Sequence, residues 1–314
     1  MQQTSDISLL VDGVTKRFGE FTAVDDLSFQ VRRGRLFGFL GPNGAGKTTT
    51  IRMIVGITAP DSGRIELFGK QMGASLQDRI GYLPEERGLY KKMKIVDQLR
   101  YFAALKDVPY GEVDKRIDFW LDRMNLSEWK KKKTTDLSKG MQQKIQFISA
   151  VLHDPDLLIL DEPFSGLDPV NVEFMIGVLS EFRSKDKTII FSTHLMETAE
   201  RLCNDILLIN KSRKVVAGSL REVKESFGTN MIALRTVGGQ AVLADPAIVA
   251  KIIEHADEIE VLLNDDVEPQ DFLKRLIESG ASISKFEKVE PSLNDIFIDQ
   301  VGERGEMVEA AAAV

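Results

Sequence analysis

The residues with the clearest chemistry form a glycine-rich loop near the start of the chain. The loop and the residue after it are Gly41, Pro42, Asn43, Gly44, Ala45, Gly46, Lys47, Thr48 and Thr49. Their spacing fits a phosphate-binding pattern in which glycines let backbone N–H groups turn toward an anion. Lys47 would reach the β- and γ-phosphates, and the Thr48 hydroxyl could ligate Mg²⁺. We expect this loop to bind a nucleotide, although a glycine-rich turn could also produce the pattern, and the loop does not separate ATPases, GTPases and small-molecule kinases.

A second group of candidate residues follows the apolar stretch Leu157 to Leu160, where Asp161 and Glu162 stand at the end of a predicted strand. Asp161 would hold Mg²⁺ directly or through water, and Glu162 is placed to polarise an attacking water molecule. Strands that end in acids are common at sheet edges, so the pair gains its meaning from following Lys47.

The elements that must position these groups alternate between strand-like and helical patterns. Leu36 to Leu40 predicts a strand that enters the phosphate loop, and Thr48 to Gly56 predicts the helix that leaves it. The remaining predicted elements of this region are strands at 65–68, 157–160, 188–191 and 206–210 and a helix at 196–203. This alternation is typical of a largely parallel sheet flanked by helices, an α/β fold.

The segment Leu137 to Lys144 gives the chain its family resemblance. It reads Leu-Ser-Lys-Gly-Met-Gln-Gln-Lys and lies between the phosphate loop and the acidic pair. With its neighbours it resembles the ATP-binding cassette of ABC transporters, over residues 7 to about 218. The resemblance implies a P-loop NTPase cassette with a mostly parallel sheet core, an antiparallel β subdomain and a helical subdomain at about 96–145. It also implies that ATP and Mg²⁺ bind.

The same resemblance assigns roles to further residues. Ser138 and Gly140 would meet the γ-phosphate bound to a second copy, although Ser138 could simply cap a helix. Asp168, in the segment 163–169, would cross the interface between the two copies. His194 would contact the γ-phosphate, whereas a histidine at a strand end is usually structural. Phe18 would stack on adenine, with packing in a turn as the alternative.

Three positions depart from the family pattern. Lys139 replaces the first glycine of the Leu137 segment and Met141 replaces its glutamine, so the Met141 side chain is not expected to contact the nucleotide. Glu85 stands where the family usually has a glutamine that senses Mg²⁺ and water. Its carboxylate could ligate the metal but adds negative charge near the triphosphate. We interpret Glu85 as part of the same switch that senses Mg²⁺ and water, with a response changed by its charge. The alternative is that Glu85 belongs to a surface loop without this role.

The function that the resemblance implies is ATP hydrolysis by an ABC transporter subunit. Two copies would close head to tail around two Mg-ATP and drive a separate membrane permease from the cytoplasmic face. The loop at 83–90 and the tail at 289–297 are similar to bacterial exporters of the sodium-efflux and drug-export type. The alternatives are a soluble ABC ATPase of ribosomes or chromosomes and a cassette that binds ATP only to regulate.

Composition and charge indicate that the chain has two regions of different character. Its 314 residues, 43% of them hydrophobic, can form one large domain and a smaller one. Residues 219–314 contain 9 Lys and Arg against 19 Asp and Glu. We therefore expect a cassette at 1–218, a small acidic α+β domain at 219–302 and a flexible tail at 303–314. The acidity argues against nucleic acid as a partner. We expect no secretory signal and no membrane span.

Within the acidic region, strands are predicted at 231–236, 259–263 and 283–288, and helices at 248–255 and 269–278. Ser292 to Asp295 is typical of a helix start and predicts a last helix to about Gln300. In the cassette, the run Lys130 to Lys133 is interpreted as a solvated loop, with contact to anionic lipid or a partner as the alternative.

Overall fold

The computed structural model describes residues 6–86, 88–227, 230–255 and 257–301. The chain divides into two compact units between Gly218 and Ser219. The strands of the first unit are β1 (Ile7–Phe18), β2 (Phe21–Arg32), β3 (Leu36–Leu40), β4 (Ser62–Leu67), β5 (Lys70–Gln71), β6 (Ile80–Leu83), β7 (Leu157–Asp161), β8 (Thr188–Thr193), β9 (Asp205–Asn210) and β10 (Arg213–Ser219). Its helices are α1 (Lys47–Ile54), α2 (Ala74–Gln77), α3 (Ile95–Leu105), α4 (Tyr110–Arg123), α5 (Lys139–Val151), α6 (Pro169–Ser184) and α7 (Met196–Leu202).

The first unit contains two β-sheets. One sheet has the order β2-β1-β4-β5 with antiparallel pairs, and the other has the order β10-β9-β3-β8-β7-β6. In the second sheet, the neighbouring pairs β9–β3, β3–β8, β8–β7 and β7–β6 are parallel. The main core joins both sheets through α1, where Ile51 and Ile54 are fully buried. The expected α/β architecture, with a mostly parallel sheet and an antiparallel sheet, is therefore confirmed.

The centre of the parallel sheet explains why the reactive residues meet. Every residue of β3, β7 and β8 is buried, which is why these strands read as continuous apolar runs. Leu40 is in register with Thr193, and Asp161 is in register with Ser192. The carboxyl ends of the three strands therefore lie side by side, and the phosphate loop, the acidic pair and His194 follow them directly.

The helical segment consists of α3, α4 and α5 and covers the helical subdomain that the resemblance implied at about 96–145. Trp120 of α4 stacks on Phe182 of α6 with ring centroids 5.7 Å apart, and it meets Phe147 of α5 edge to face at 6.1 Å. These aromatic contacts attach α4 to the helices beside the parallel sheet. None of the helices in the described part of the chain combines the length and apolar character needed to cross a bilayer.

The second unit contains a four-stranded antiparallel sheet with a helix, α10 (Pro269–Glu278), packed against it. Its elements are α8 (Leu220–Ser226), β11 (Met231–Val237), α9 (Gln240–Leu243), β12 (Val249–Glu254), β13 (Ile259–Leu263), α10 (Pro269–Glu278), β14 (Ser282–Val289) and α11 (293–301). The strand order is β12-β13-β11-β14. Phe272 and Leu276 of α10 are fully buried against Ile232 and Leu234. Ser292 caps α11 by accepting a hydrogen bond from the Asp295 N–H at 3.1 Å, as its sequence predicted.

One element of this unit differs from the prediction. Residues 248–255 were expected to be helical, but Val249–Glu254 is the edge strand β12, paired with β13. The segment carries β-branched Val249, Ile252 and Ile253, which lose side-chain freedom in a helix and suit a pleated edge. The tail expected at 303–314 lies outside the described residues.

Candidate nucleotide-binding site

The phosphate loop turns between β3 and α1 in a conformation that requires glycine at two positions. Gly41 has φ 151° and Gly46 has φ 107°, values that other residues rarely adopt. A Cβ atom on Gly41 would lie 2.3 Å from the Ile209 carbonyl oxygen, and one on Gly46 would lie 2.4 Å from the Ala23 carbonyl oxygen. Both glycines thus permit the turn and its close packing on neighbouring backbone, which aims the start of α1 at the loop.

Lys47 is held at the centre of this loop. Its ammonium donates to the carbonyl oxygens of Gly41 at 2.7 Å and Pro42 at 3.2 Å, and lies 3.9 Å from Glu162 Oε1. Burial lowers the pKa of Lys47, and the nearby carboxylates of Glu162, Asp161 and Glu85 oppose that shift. A buried cation with several acceptors around it is prepared to bind a polyanion such as a triphosphate.

Asp161 is fully buried, and its two carboxylate oxygens differ. Oδ1 accepts a hydrogen bond from the Ser192 hydroxyl, whereas Oδ2 has no hydrogen-bond partner among the described residues. A buried carboxylate oxygen without a donor is unfavourable unless a ligand satisfies it. Asp161 therefore fits a metal ion or a metal-bound water, and Ser192 orients it.

Glu162 sits in a strained backbone conformation beside Asp161, with φ 48°. Its Oε1 accepts from His194 Nδ1–H at 2.9 Å, and its Oε2 lies 3.4 Å from the Thr193 hydroxyl. The Glu162 N–H donates to the Ser192 carbonyl and hydroxyl oxygens, each at 3.2 Å. The end of β8 therefore fixes the Glu162 carboxylate close to Lys47.

These groups face a cavity of about 330 Å³, which we call the nucleotide cavity. Its lining includes residues 42–44 and 46–49 of the phosphate loop and the side chains of Phe21, Glu85 and Glu162. Glu85 is exposed and contributes a third carboxylate near Lys47. The sequence interpretation missed Phe21, which follows Phe18 across the β1–β2 hairpin, because it looked only for the aromatic residue of the family motif.

Phe18 itself is 54% exposed and is not one of the described residues that line the nucleotide cavity. It pairs with Phe21 across the hairpin, and the Lys16 ammonium lies 5.6 Å from its ring centroid. An aromatic pair with two exposed rings therefore stands at this hairpin, and Phe21 is the member nearer the loop.

Ser138, Gly140 and Asp168 are not among the described residues that line the nucleotide cavity. Ser138 caps α5 by accepting from the Met141 N–H at 3.3 Å. Asp168 caps α6 by accepting from the Asn171 N–H at 3.0 Å, and these hydrogen bonds lower the pKa of Asp168. Both capping side chains are exposed, and neither lines the nucleotide cavity described above. In a single copy they act as helix caps.

The loop that carries Glu85 is tied to α5. The Gln146 amide donates to the carbonyl oxygens of Pro84 and Glu86, each at 3.1 Å. Gln146 is 3% exposed, and its Oε1 has no hydrogen-bond partner within the described ranges. Helix α5, which Ser138 caps, thus holds the backbone on both sides of Glu85. The sequence interpretation did not identify this link.

The fold and the loop define a phosphate-loop nucleotide-binding protein, and comparison with known proteins specifies the family. The family model described as ABC transporter matches residues 24–165. A second model, described as the C-terminal domain of ATP-binding protein DrrA1-3-like, matches residues 218–301. The chain belongs to the ATP-binding subunits of ABC transporters, with a DrrA-like C-terminal domain.

Individual relatives agree with this assignment. An uncharacterized ABC transporter ATP-binding protein, YhaQ of Bacillus subtilis, is 45% identical over 94% of this chain and 98% of its own. A Nod factor export ATP-binding protein I of Ralstonia nicotianae is 37% identical over 73% of this chain and 75% of its own. A solved structure of an ATP-binding subunit of an ABC transporter aligns with TM-score 0.66 and 31% identity, over 70% of this chain and 92% of that chain.

Proposed function

We propose that this chain hydrolyses ATP to ADP and phosphate and that Glu162 is the general base. Lys47 and the loop N–H groups bind the phosphates, while Glu162 accepts a proton from the water whose oxygen attacks the γ-phosphorus. The bond to the bridging oxygen then breaks, and His194 stabilises the charge on the γ-phosphoryl group. The position of Glu162, between Lys47 and His194 at the cavity wall, carries this proposal.

The donor set suits Mg²⁺. Asp161 offers a buried carboxylate oxygen without a partner, Thr48 offers a hydroxyl in the cavity wall, and Glu85 adds an exposed carboxylate. Oxygen donors of this kind are what Mg²⁺ prefers. When bound, the ion would neutralise phosphate charge during transfer. Glu85 replaces a neutral amide of the family pattern, so we expect it to make activity more dependent on the Mg²⁺ concentration.

A second copy would complete the site. Ser138, Gly140 and Asp168 are needed by the family motif, yet in one copy they lie away from the nucleotide cavity. The exposed Ser138 and Asp168 and the half-buried Gly140 would meet the γ-phosphate of a facing copy, with the N-terminus of α5 directed at the anion. We therefore propose a head-to-tail dimer that closes around two ATP molecules, with Phe18 or Phe21 against each adenine.

A groove on the first unit is our proposed contact for a membrane permease. This docking groove of about 360 Å³ is lined by β6, α3 and α5 and is mainly apolar, with Ile80, Tyr82, Leu89, Phe102 and Leu105 in its wall. It adjoins the nucleotide cavity through the loop that bears Glu85. Movement of a docked permease segment would therefore move the loop that bears Glu85 and change the geometry of the catalytic site.

The docking groove also holds two hydrogen-bond acceptors. Gln146 Oε1 and His153 Nδ1 are buried there without partners among the described residues. His153 donates from Nε2 to the Ile80 carbonyl at 3.0 Å, which leaves Nδ1 as an acceptor. Both atoms lie beneath the groove surface, so an apolar permease segment suits this wall, and an N–H or O–H donor on it would reach the two acceptors only after the wall opens.

The relatives favour export as the direction of transport. The Ralstonia relative is a Nod factor export ATP-binding protein by name. We propose that this chain likewise drives an exporter, bound to the cytoplasmic face of the cell membrane through its permease. Recovery with membranes that is lost after a urea wash would support this location, whereas firm association with ribosomes or DNA would support the soluble alternative.

The test of hydrolysis is Glu162→Gln in the purified full chain. The change keeps the shape of the side chain but removes the base, so we expect kcat to fall by about 100-fold or more. ATP affinity should stay close to that of the wild type, and ATP should drive the variant into a stable dimer in size-exclusion chromatography.

Glu128→Gln provides a control that makes the same change at an exposed glutamate outside the nucleotide cavity and keeps the catalytic base. It should retain most ATP turnover per closed dimer. Near-normal turnover in Glu162→Gln would refute the assignment of Glu162. Unmeasurable turnover in the wild type, with ATP still bound, would favour a purely regulatory cassette.

A further inference from the structure

Two separate loops bring seven lysines together at one end of the helical segment. Lys91, Lys92 and Lys94 precede α3, and Lys130 to Lys133 lie between α4 and α5. Lys94 and Lys133 form an antiparallel β-bridge. The Ile95 N–H donates to the Lys132 carbonyl oxygen at 2.9 Å. We call these seven residues the lysine surface, and its two halves are held in a fixed relation by backbone hydrogen bonds.

Most of the positive charge of the lysine surface is not neutralised by ion pairs. Lys130 is half-buried and forms an ion pair with Asp118. The other six side chains are exposed and form no ion pair within the described residues. Two acidic residues lie close in sequence: Asp97 is 3.9 Å from Arg100, and the Asp136 carboxylate accepts from the Lys133 backbone N–H at 3.0 Å, so one negative charge stands at the edge of the surface. Glu128 is the remaining exposed acid nearby.

Exposed tyrosines adjoin the lysine surface. Tyr90 directly precedes Lys91 and is 49% exposed, and Tyr101 of α3 is 42% exposed. Their rings meet edge to face with centroids 5.8 Å apart. Tyrosine rings with lysines beside them suit the headgroup level of a bilayer, where one end of the side chain is apolar and the other is wet.

We propose that the lysine surface binds the anionic lipid headgroups of the membrane beside the permease. This choice of partner rests on the proposed function, because Leu89 of the docking groove stands two residues before Lys91. The chain as a whole carries a net charge of −7. At physiological salt, charges act over only about 8 Å, so local charge decides what a surface attracts.

The experiment compares binding of the purified full chain to two kinds of vesicle, phosphatidylcholine alone and phosphatidylcholine mixed with phosphatidylglycerol. We expect binding only to the anionic vesicles and its loss at high salt. The triple variant Lys91→Gln, Lys92→Gln and Lys131→Gln should bind at least tenfold more weakly, since each lysine near an anionic surface contributes roughly fivefold.

The matched control removes the same charge elsewhere. Lys70→Gln, Lys185→Gln and Lys288→Gln change three exposed lysines outside the lysine surface, and this variant should bind anionic vesicles within about twofold of the wild type. Equal weakening in both triple variants would overturn the proposal. Binding of a nucleic acid or an acidic peptide that depends on the lysine surface, without vesicle binding, would also overturn it.

ATP turnover in solution separates this proposal from the proposed function. The first triple variant should hydrolyse ATP like the wild type, because none of its three residues lines the nucleotide cavity. Hydrolysis without vesicle binding would refute the lipid contact alone. Vesicle binding that depends on the lysine surface, in a chain that does not hydrolyse ATP, would support the lipid contact and refute the proposed function.

Discussion

The nucleotide cavity and the docking groove are neighbours of similar size whose walls carry different residues. The first holds about 330 Å³ among loop N–H groups, Lys47 and carboxylates, and the second holds about 360 Å³ among apolar side chains. They meet at the loop where Pro84 lines the groove and Glu85 lines the cavity. Chemistry on a phosphate requires fixed charges, whereas docking requires apolar area with a few directed polar atoms.

The largest effect should come from Lys47→Ala, which damages the nucleotide cavity alone. Removing a buried cation that contacts phosphate should cost about 3 kcal/mol of ATP binding, or roughly 100-fold in Kd. Titration with a fluorescent ATP analogue measures this loss. Pull-down of the permease without nucleotide should be unchanged, because the docking groove is untouched.

Lys70→Ala, at an exposed strand residue, controls for the loss of one charge. Wild-type ATP affinity in Lys47→Ala would refute the role of the cavity. Loss of permease association in the same variant would show that the two cavities are not independent.

Leu105→Asp should have the next largest effect and should damage the docking groove alone. Leu105 lines the groove and is 59% exposed, so a charge there costs the free chain little stability. Burying that charge against a permease segment should weaken association by about tenfold or more. Co-purification with the permease measures this effect, and ATP affinity should stay unchanged.

Ile277→Asp is the matched control, since Ile277 is also 59% exposed but lies on α10 of the second unit. Equal loss of permease association in both variants would argue that added charge, and not the docking groove, causes the effect.

The two cavities also differ in how far the sequence could predict them. The phosphate loop and the acidic pair could be identified from the sequence because their chemistry requires particular residue types at fixed spacing. Ser192 and Thr193 were missed, although they orient Asp161 and Glu162, because β8 lies beside β7 only in the folded sheet. Gln146 was missed for the same reason, since its partners Pro84 and Glu86 are distant in sequence.

The secondary-structure predictions also succeeded where the local sequence was sufficient and failed where tertiary contacts decided the structure. Completely buried strands such as β3 and β7 gave unmistakable apolar runs. No residue of the edge strand β12 is fully buried, and its short apolar pattern was compatible with a helix until its pairing with β13 was known. Local pattern therefore sufficed where burial is complete, and tertiary pairing decided the rest.

Gln146→Leu should give a smaller effect that tests the connection between the cavities. The change removes the donors to Pro84 and Glu86 and thereby loosens the loop at Glu85. We expect kcat to fall by roughly fivefold because misplacement of a catalytic group is costly, while the Kd for ATP stays unchanged. Steady-state turnover and nucleotide titration separate the two parameters.

Ser149→Ala serves as its control, because Ser149 also lines the docking groove but donates only to the Gln146 carbonyl. If both variants reduced kcat equally, or if Gln146→Leu raised the Kd instead, positioning through this glutamine would be excluded.

The smallest effect should be a pH dependence that belongs to the docking groove. Burial lowers the pKa of His153 from 6.5 to about 4. The unfolded chain therefore binds a proton near pH 6.5 that the folded chain does not, so stability is lost as the pH falls from 6.5 toward 4. His153→Gln should lose about 1 kcal/mol less than the wild type between pH 7 and 5.5 in urea unfolding. Parallel curves for the two proteins would show that His153 titrates normally and that the groove wall is open to water, and a permease that docks there would then find no buried acceptor at Nδ1.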